Sequence, residues 1–266
     1  MNFKTKHYQA LMIGCGKMGG ALLRQWIRSE AVHYTVVDPT LPELPNGVVG
    51  YDNADALKSK KFDIIIIAIK PQMVETILPD YANLLSEDGF VISMAAGCSA
   101  ERLQTALKTR AIIRIMPNLP SFIGKGVAGL YASPECSEAQ KAVSLDMMEL
   151  AGTAVKVDSE DGLDRITAIA GSGPGYVFEF ARTYVEAAES LGFSREQARA
   201  LVLGTIVGTI EMAMDSDDDL ETLRNNVTSK KGTTEAGLKA LNADMGLSQK
   251  LKQTVDAAYN RAIELR

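Results

Sequence analysis

Short apolar runs, each followed by a stretch with helical spacing, fill the first half of this chain and leave few folds open to it. Tyr8–Ile13, Tyr34–Val37, Asp63–Ile69, Phe90–Met94 and Ala111–Ile115 are strand-sized. Several are continuous β-branched runs, as expected of strands covered on both faces of a parallel sheet. Met18–Arg28 places Met18, Leu22, Leu23, Trp26 and Ile27 on one helical stripe. Gln72–Leu85 and Ser99–Leu107 are further helical candidates. Strands alternating with helices predict a doubly wound α/β sheet. Val127–Tyr131 and Ala154–Val157 add two short strands around a helix over Ser137–Ala151.

The pattern then changes. No convincing strand follows Asp161, so residues 1–160 are expected to form a dinucleotide-binding domain and 161–266 an all-helical one. Pro174 suits the first turn of a helix running to about Leu191, because the amide hydrogen it lacks would be unpaired there. Ser194-Arg-Glu-Gln197 reads as a capping box for a helix reaching about Met214. Helices over 219–226, 233–242 and 246–264 complete the reading.

Composition excludes several classes. The chain has 266 residues, 46% hydrophobic and 23% charged, with net charge −5. No basic cluster is large enough to neutralise a phosphate backbone, so nucleic acid is not an expected partner. No run approaches the roughly 20 apolar residues a bilayer span needs, and no membrane association is expected. MNFKTKHYQA lacks the apolar stretch of a signal peptide, so a cytoplasmic location is expected. Three widely spaced cysteines and two histidines predict neither a disulfide framework nor a metal centre.

Gly14-x-Gly16-x-x-Gly19 lies between the first strand and the first helix. There the first glycine permits a tight turn, the second lets a pyrophosphate approach the backbone, and the third packs helix on strand. The helix start, with Lys17 and Met18, offers free amides to phosphates. Asp38 ends the second strand at the spacing expected for a ribose-diol acceptor, which favours NADH over NADPH. Ala68, Lys70 and Pro71, then Ala95 and Gly97, then Asn118, stand at the ends of later strands, where open α/β sheets bind ligands.

Two small-residue segments interrupt the helical part, ITAIAGSGPGY over 166–176 and VTSKKGTTEAGL over 227–238. The second gathers Thr228, Ser229, Thr233 and Thr234 ahead of a helix, whose free amides can hold a carboxylate of a small-molecule substrate. Acid–base candidates are few, since His7 and His33 lie near the N-terminus. Reducing a ketone needs an acid for the developing alkoxide, whereas a protonated imine already carries its positive charge.

The ordered motifs GxGxMG, AIKPQ, MAAG, MPNLP, AGSGPGY and TSxxGTTxAGL resemble those of pyrroline-5-carboxylate reductase, from about Ala10 to the C-terminus. The resemblance implies a Rossmann-like N-terminal domain and an all-helical C-terminal one. It implies homodimerisation through that helical domain, and assembly of such dimers into a larger ring. It implies transfer of hydride from NAD(P)H to the ring imine carbon of 1-pyrroline-5-carboxylate, giving L-proline. By motif, Ser229, Gly232, Thr233 and Thr234 would bind substrate. The Thr234 hydroxyl would contact the ring nitrogen as the catalytic group, and Asn53 would contact the adenosine ribose.

The chain departs from that family pattern at three places. Lys230-Lys231 stands where Pro-Gly is usual, Arg182 where an acidic residue is common, and Gly175 where alanine is. Three other readings follow: a reductase of a related cyclic imine, a β-hydroxyacid dehydrogenase, or a nonenzymatic dinucleotide-binding protein. The dehydrogenase reading wants a lysine on the helix after the Gly-rich segment, and Glu179 stands there.

Overall fold

A computed structural model describes residues 7–244 and 246–266. The chain divides into two compact units. One is built from the described residues up to Ser172 together with Ala258–Arg266, the other from Gly173–Ala257.

The first unit is a Rossmann-like α/β sheet. Its strands are β1 (Tyr8–Ile13), β2 (Val32–Val37), β3 (Val49–Tyr51), β4 (Phe62–Ile67), β5 (Leu85–Ser93), β6 (Ile112–Met116), β7 (Gly126–Ala132) and β8 (Gly152–Val157). They form one eight-stranded sheet in the order β3-β2-β1-β4-β5-β6-β7-β8. The strands from β3 to β6 pair in parallel, β7 runs antiparallel to β6, and β8 is parallel to β7. The strand order reverses at β1 and β4, which places a topological switch point beyond their carboxyl ends.

Alternate side chains explain the β-branched runs. Ile64 and Ile66 enter one core with Met12, Leu22, Trp26, Ile92 and Ile113. Ile65 and Ile67 enter the other with Leu11, Ile13, Val91, Leu103 and Ile112. All four β4 isoleucines are fully buried, so neither face of the strand meets water.

Helix α1 (Lys17–Trp26) follows β1, and α3 (Ala100–Leu107) starts at the N-cap Ser99, whose side chain accepts the amide of Arg102. The expected helix over Gln72–Leu85 is broken into 3-10 turns around a four-residue α2 (Val74–Ile77). Pro79 lies in the second of these turns and lacks the amide that a continuous helix would use. The capping box of Ser137 and Gln140 starts α4 (Glu138–Glu149). Helix α5 (Glu160–Ile166) passes into a π-helical turn, Thr167–Gly171, closed by the Ser172 amide donating to the Thr167 carbonyl at 2.9 Å. Part of the motif ITAIAGSGPGY is therefore a widened helical turn rather than a loop.

The second unit is helical. It begins with α6 (Gly173–Ser190) and α7 (Arg195–Met214), the latter opened by the Ser194–Gln197 capping box. Helices α8 (Leu220–Asn226), α9 (Thr233–Leu241) and most of α10 (Gly246–Glu264) follow. Its buried core is small, with Ala188, Ala198 and Val202 supported by Val185 and Ile206. Phe178, Leu191, Met212 and Met214 are each more than 60% exposed, a large apolar surface for a single chain to leave in water.

Candidate cofactor turn and substrate loop

The glycines of the first motif differ in what surrounds them. Gly14 has φ +82°, and a Cβ there would meet the Ala68 carbonyl oxygen and Ile69 Cγ2 at 2.9 Å. A Cβ on Gly19 would come within 3.0 Å of Ala68 Cβ. Both glycines let β1 and α1 close onto the end of β4, and Ala68 is the small residue that completes the fit. At Gly16 a Cβ would meet no protein atom within 4 Å. Steric crowding by the chain therefore does not explain this glycine, and its backbone is left open to approach from outside. Gly16 is also the N-cap of α1 with no side-chain cap bond, and no acidic residue occupies the first turn. Amides there are free to meet an anion, with Lys17 and Met18 in the same turn.

Asp38 joins this turn to the end of β2. Its Oδ2 accepts the Cys15 amide at 2.7 Å, and its Oδ1 accepts the Thr40 amide at 2.9 Å and the Thr40 hydroxyl at 2.6 Å. Partial burial raises the Asp38 pKa, but the Thr40 hydroxyl and the two amides outweigh it and hold the carboxyl below its ordinary value. Thr40 was not among the expected site residues. The signal was present, because an Asp bonding the backbone two residues on is common turn chemistry.

The remaining strand-end residues have distinct local roles. Asn53 is exposed; its side chain donates to Asp52 and accepts the Asp55 amide at 2.9 Å. Lys70 is exposed in extended backbone before the turn that Pro71 starts. Ala95 is buried, with its amide donating to Ser93 Oγ. Gly97 has φ +71°, and a Cβ there would meet the Leu265 carbonyl oxygen at 2.2 Å. The C-terminal segment thus leaves no room for a side chain at 97. Asn118 is 7% exposed; its amide nitrogen donates to the Ala170 carbonyl at 3.0 Å and its oxygen accepts the Val127 amide at 2.8 Å.

The substrate-loop candidates gather in the second unit at the start of α9. Gly232 is the N-cap, and no side chain caps the helix. The Thr228 hydroxyl instead donates back to the Arg224 carbonyl. Hydroxyls ahead of a helix are commonly caps, and here they are not. Thr233 and Thr234 are exposed in the first turn. Ser229 lies against Gly232, where a Cβ would meet the serine Oγ at 2.3 Å. Lys231 has φ +62°, in the left-handed region where glycine is favoured, and its amide donates to the Glu235 carboxylate. On α6, Glu179 is paired with Arg182 at 2.7 Å and Arg182 with Glu186 at 2.5 Å, so the departure at Arg182 is the centre of an exposed ion-pair ladder.

Among the described residues no cluster of His, Cys, Asp and Glu could hold a metal, and no helix is long and apolar enough to cross a membrane.

Comparison with known proteins agrees with this arrangement. Residues 160–265 match the family described as pyrroline-5-carboxylate reductase dimerisation. Residues 10–97 match that described as NADP oxidoreductase coenzyme F420-dependent. The chain is 36% identical over 261 residues to the pyrroline-5-carboxylate reductase of Pseudomonas aeruginosa, covering 95% of each. A solved pyrroline-5-carboxylate reductase from Coxiella burnetii superposes with TM-score 0.87 at 30% identity, covering 98% of this chain and 99% of that one. The Plasmodium falciparum pyrroline carboxylate reductase, solved with NADP bound, superposes with TM-score 0.85 at 25% identity over 98% of both chains.

Proposed function

The chain belongs to the pyrroline-5-carboxylate reductase family, and on that premise we propose how its own residues divide the work. It is an NAD(P)H-dependent oxidoreductase that reduces 1-pyrroline-5-carboxylate to proline, the last step of proline biosynthesis. The chain self-associates through its helical region. The exposed apolar residues of α6 and α7 fit burial against a second copy, and a ring of such dimers is the larger assembly we propose.

The residues of the first unit fit a dinucleotide. Gly14 shapes the turn, Gly16 leaves its backbone approachable, and Lys17, Met18 and Gly19 open the helix whose amides take the phosphates. Asp38 takes the adenosine ribose, with Asn53 beside the same half of the cofactor. Ala68, Lys70, Pro71, Ala95, Gly97 and Asn118 form the strand ends beneath the other half. When bound, the nicotinamide supplies the hydride. The imine carbon accepts it, and the ring nitrogen keeps the proton it already carries.

The uncapped N-terminus of α9 carries the substrate assignment. Amides of Thr233 and Thr234 take the substrate carboxylate in this reading, with Ser229 and Gly232 shaping the approach; the absence of a side-chain cap supports it. The Thr234 hydroxyl is assigned to the ring nitrogen. No histidine is needed, because an iminium substrate brings its own charge.

NADH is the proposed preferred cofactor. Asp38 is held ionised, and residues 39–45 contain no Lys or Arg to offset repulsion of a 2′-phosphate. A carboxylate offers roughly four acceptor positions, and three contacts within the protein already use it, so it has room for about one ribose hydroxyl. Oxidation of NADH and NADPH with pyrroline-5-carboxylate and a panel of other cyclic imines tests the reading. Absence of turnover on any cyclic imine would reject it.

A further inference from the structure

Asn118 has a task that cofactor contact does not explain. It follows β6, at the carboxyl end of the sheet, and both of its polar groups are engaged within the first unit. Its oxygen accepts the Val127 amide at the start of β7, and its nitrogen donates to the Ala170 carbonyl inside the π-helical turn. Ser172 donates to Thr167, an i→i+5 bond, and the residue four on from Ala170 is Pro174, which has no amide hydrogen, so the Ala170 carbonyl lacks its ordinary helical donor. Asn118 supplies a donor for Ala170. The Thr167 hydroxyl is turned back onto the Leu163 carbonyl at 2.9 Å and does not brace the turn against the sheet. Gly171 lies next to Met116, the last residue of β6, where a Cβ would sit 3.8 Å from Met116 Cγ.

The turn is thereby fixed over the carboxyl end of β6. The phosphate turn sits at β1, and the strand order β1-β4-β5-β6 runs from it toward the π turn. Three strand spacings cover about 14 Å. With Asp38 at β2 marking the adenosine side, the β6 end lies on the nicotinamide side of the crevice. We propose that Asn118 is a positioning residue for hydride transfer: it bolts the π turn Thr167–Gly171 to β6 and β7, so that the turn forms a fixed wall for the nicotinamide ring. π-helical insertions often mark functional sites, and a fixed wall keeps the transferring carbon in a near-attack position. This rests on the reductase reading, whose own failure would show as a wild-type protein without imine turnover.

Asn118→Asp tests the proposal. The aspartate keeps the acceptor for the Val127 amide, loses the donor to Ala170, and sets a carboxylate against that carbonyl. The measurement is single-turnover oxidation of bound NADH, mixed with saturating pyrroline-5-carboxylate, alongside NADH affinity by fluorescence. The rate constant per bound cofactor is expected to fall tenfold to a hundredfold, with affinity changed less than threefold. A purely structural role would lower the amplitude, by leaving fewer competent molecules, and would leave that rate constant unchanged. An unchanged rate constant overturns the proposal. Should Asn118→Asp not fold, Asn118→Gln keeps both polar groups but displaces the turn by a methylene, and the same rate constant is read with the same expected fall. An unchanged value there overturns the proposal equally.

Discussion

The Cys15 amide donates to Asp38 Oδ2 at 2.7 Å, so the residue that would read the ribose also holds the phosphate turn. Two consequences follow from one carboxylate. Like-charge repulsion of a 2′-phosphate across a partly exposed site is worth about 1–2 kcal/mol, on the order of a tenfold difference in kcat/KM. Wild-type kcat/KM is therefore expected to favour NADH by roughly that factor. Asp38→Asn should narrow the difference, and it should also weaken NADH binding because the turn loses an ionised acceptor. A wild-type preference for NADPH would refute the assignment.

The same carboxyl makes a pH prediction. Its folded-state pKa is depressed, so its contribution to stability is complete above the ordinary value of about 3.9 and is lost as pH falls through the lower folded value. The stability that Asp38 contributes should thus be constant across neutral pH and should fall only in acid. Comparing urea midpoints of the wild type and Asp38→Asn from pH 7 to pH 3 checks this. The gap between the two proteins should shrink toward the acid end, and a gap that widens there would contradict the depressed value.

Arg114 gives a prediction about the fold beneath the site. It is 2% exposed on β6 and is paired at 2.6 Å with Glu160, the first residue of α5. Glu160 also accepts the Ala100 amide at the start of α3. Glu160→Ala leaves a buried guanidinium without its partner. The expected loss is about 3 kcal/mol, the low end for a stranded buried charge, because the glutamate is itself 28% exposed. Equilibrium urea unfolding measures it, and a loss under about 1 kcal/mol would mean that water replaces the carboxylate.

Thr234→Ala separates catalysis from helix capping. A hydroxyl on the ring nitrogen matters most as the iminium becomes an amine, so kcat should fall by roughly tenfold to a thousandfold and KM should change less. Because the α9 cap is Gly232 with no side-chain bond, Tm should stay nearly unchanged. A large Tm loss with unchanged kcat would return Thr234 to a structural role.

Much of this was legible because it is local. The capping box at Ser194, the phosphate turn, and the apolar runs of β1, β4 and β6 are patterns within a few residues. β3 was not expected, since three residues after a proline-rich stretch carry too little periodicity to show a strand. The reversed direction of β7 has no signature in its own side chains. Asn118 was identified as a site residue from its position at a strand end. Its bond to Ala170 spans 52 residues, so nothing local names Asn118 as the partner, although Pro174, four residues after Ala170, leaves that carbonyl without its helical donor. The unused caps before α9 were equally hidden, since Ser and Thr ahead of a helix look the same whether or not they cap it.

Lys230 and Lys231 provide the sharpest test of the substrate loop. Both are exposed beside the amides proposed to take the substrate carboxylate, and Lys231 adopts φ +62°, a conformation that suits the glycine usual in the family. A lysine where the backbone prefers glycine is under local strain, and it stands beside the hydroxyls proposed to bind an anionic substrate. A mobile ammonium attracts an anionic substrate more than it orients one, and salt screens it beyond roughly 8–10 Å. Lys230→Pro with Lys231→Gly should therefore raise KM for the imine at low ionic strength, with kcat nearly constant, and the difference should fade as salt rises. Lys231→Gly alone should ease the backbone and slow thermal unfolding of the loop, yet still raise KM at low salt. A double variant with equal or lower KM at low salt would show that both ammonium groups point to water and that the loop only tolerates them.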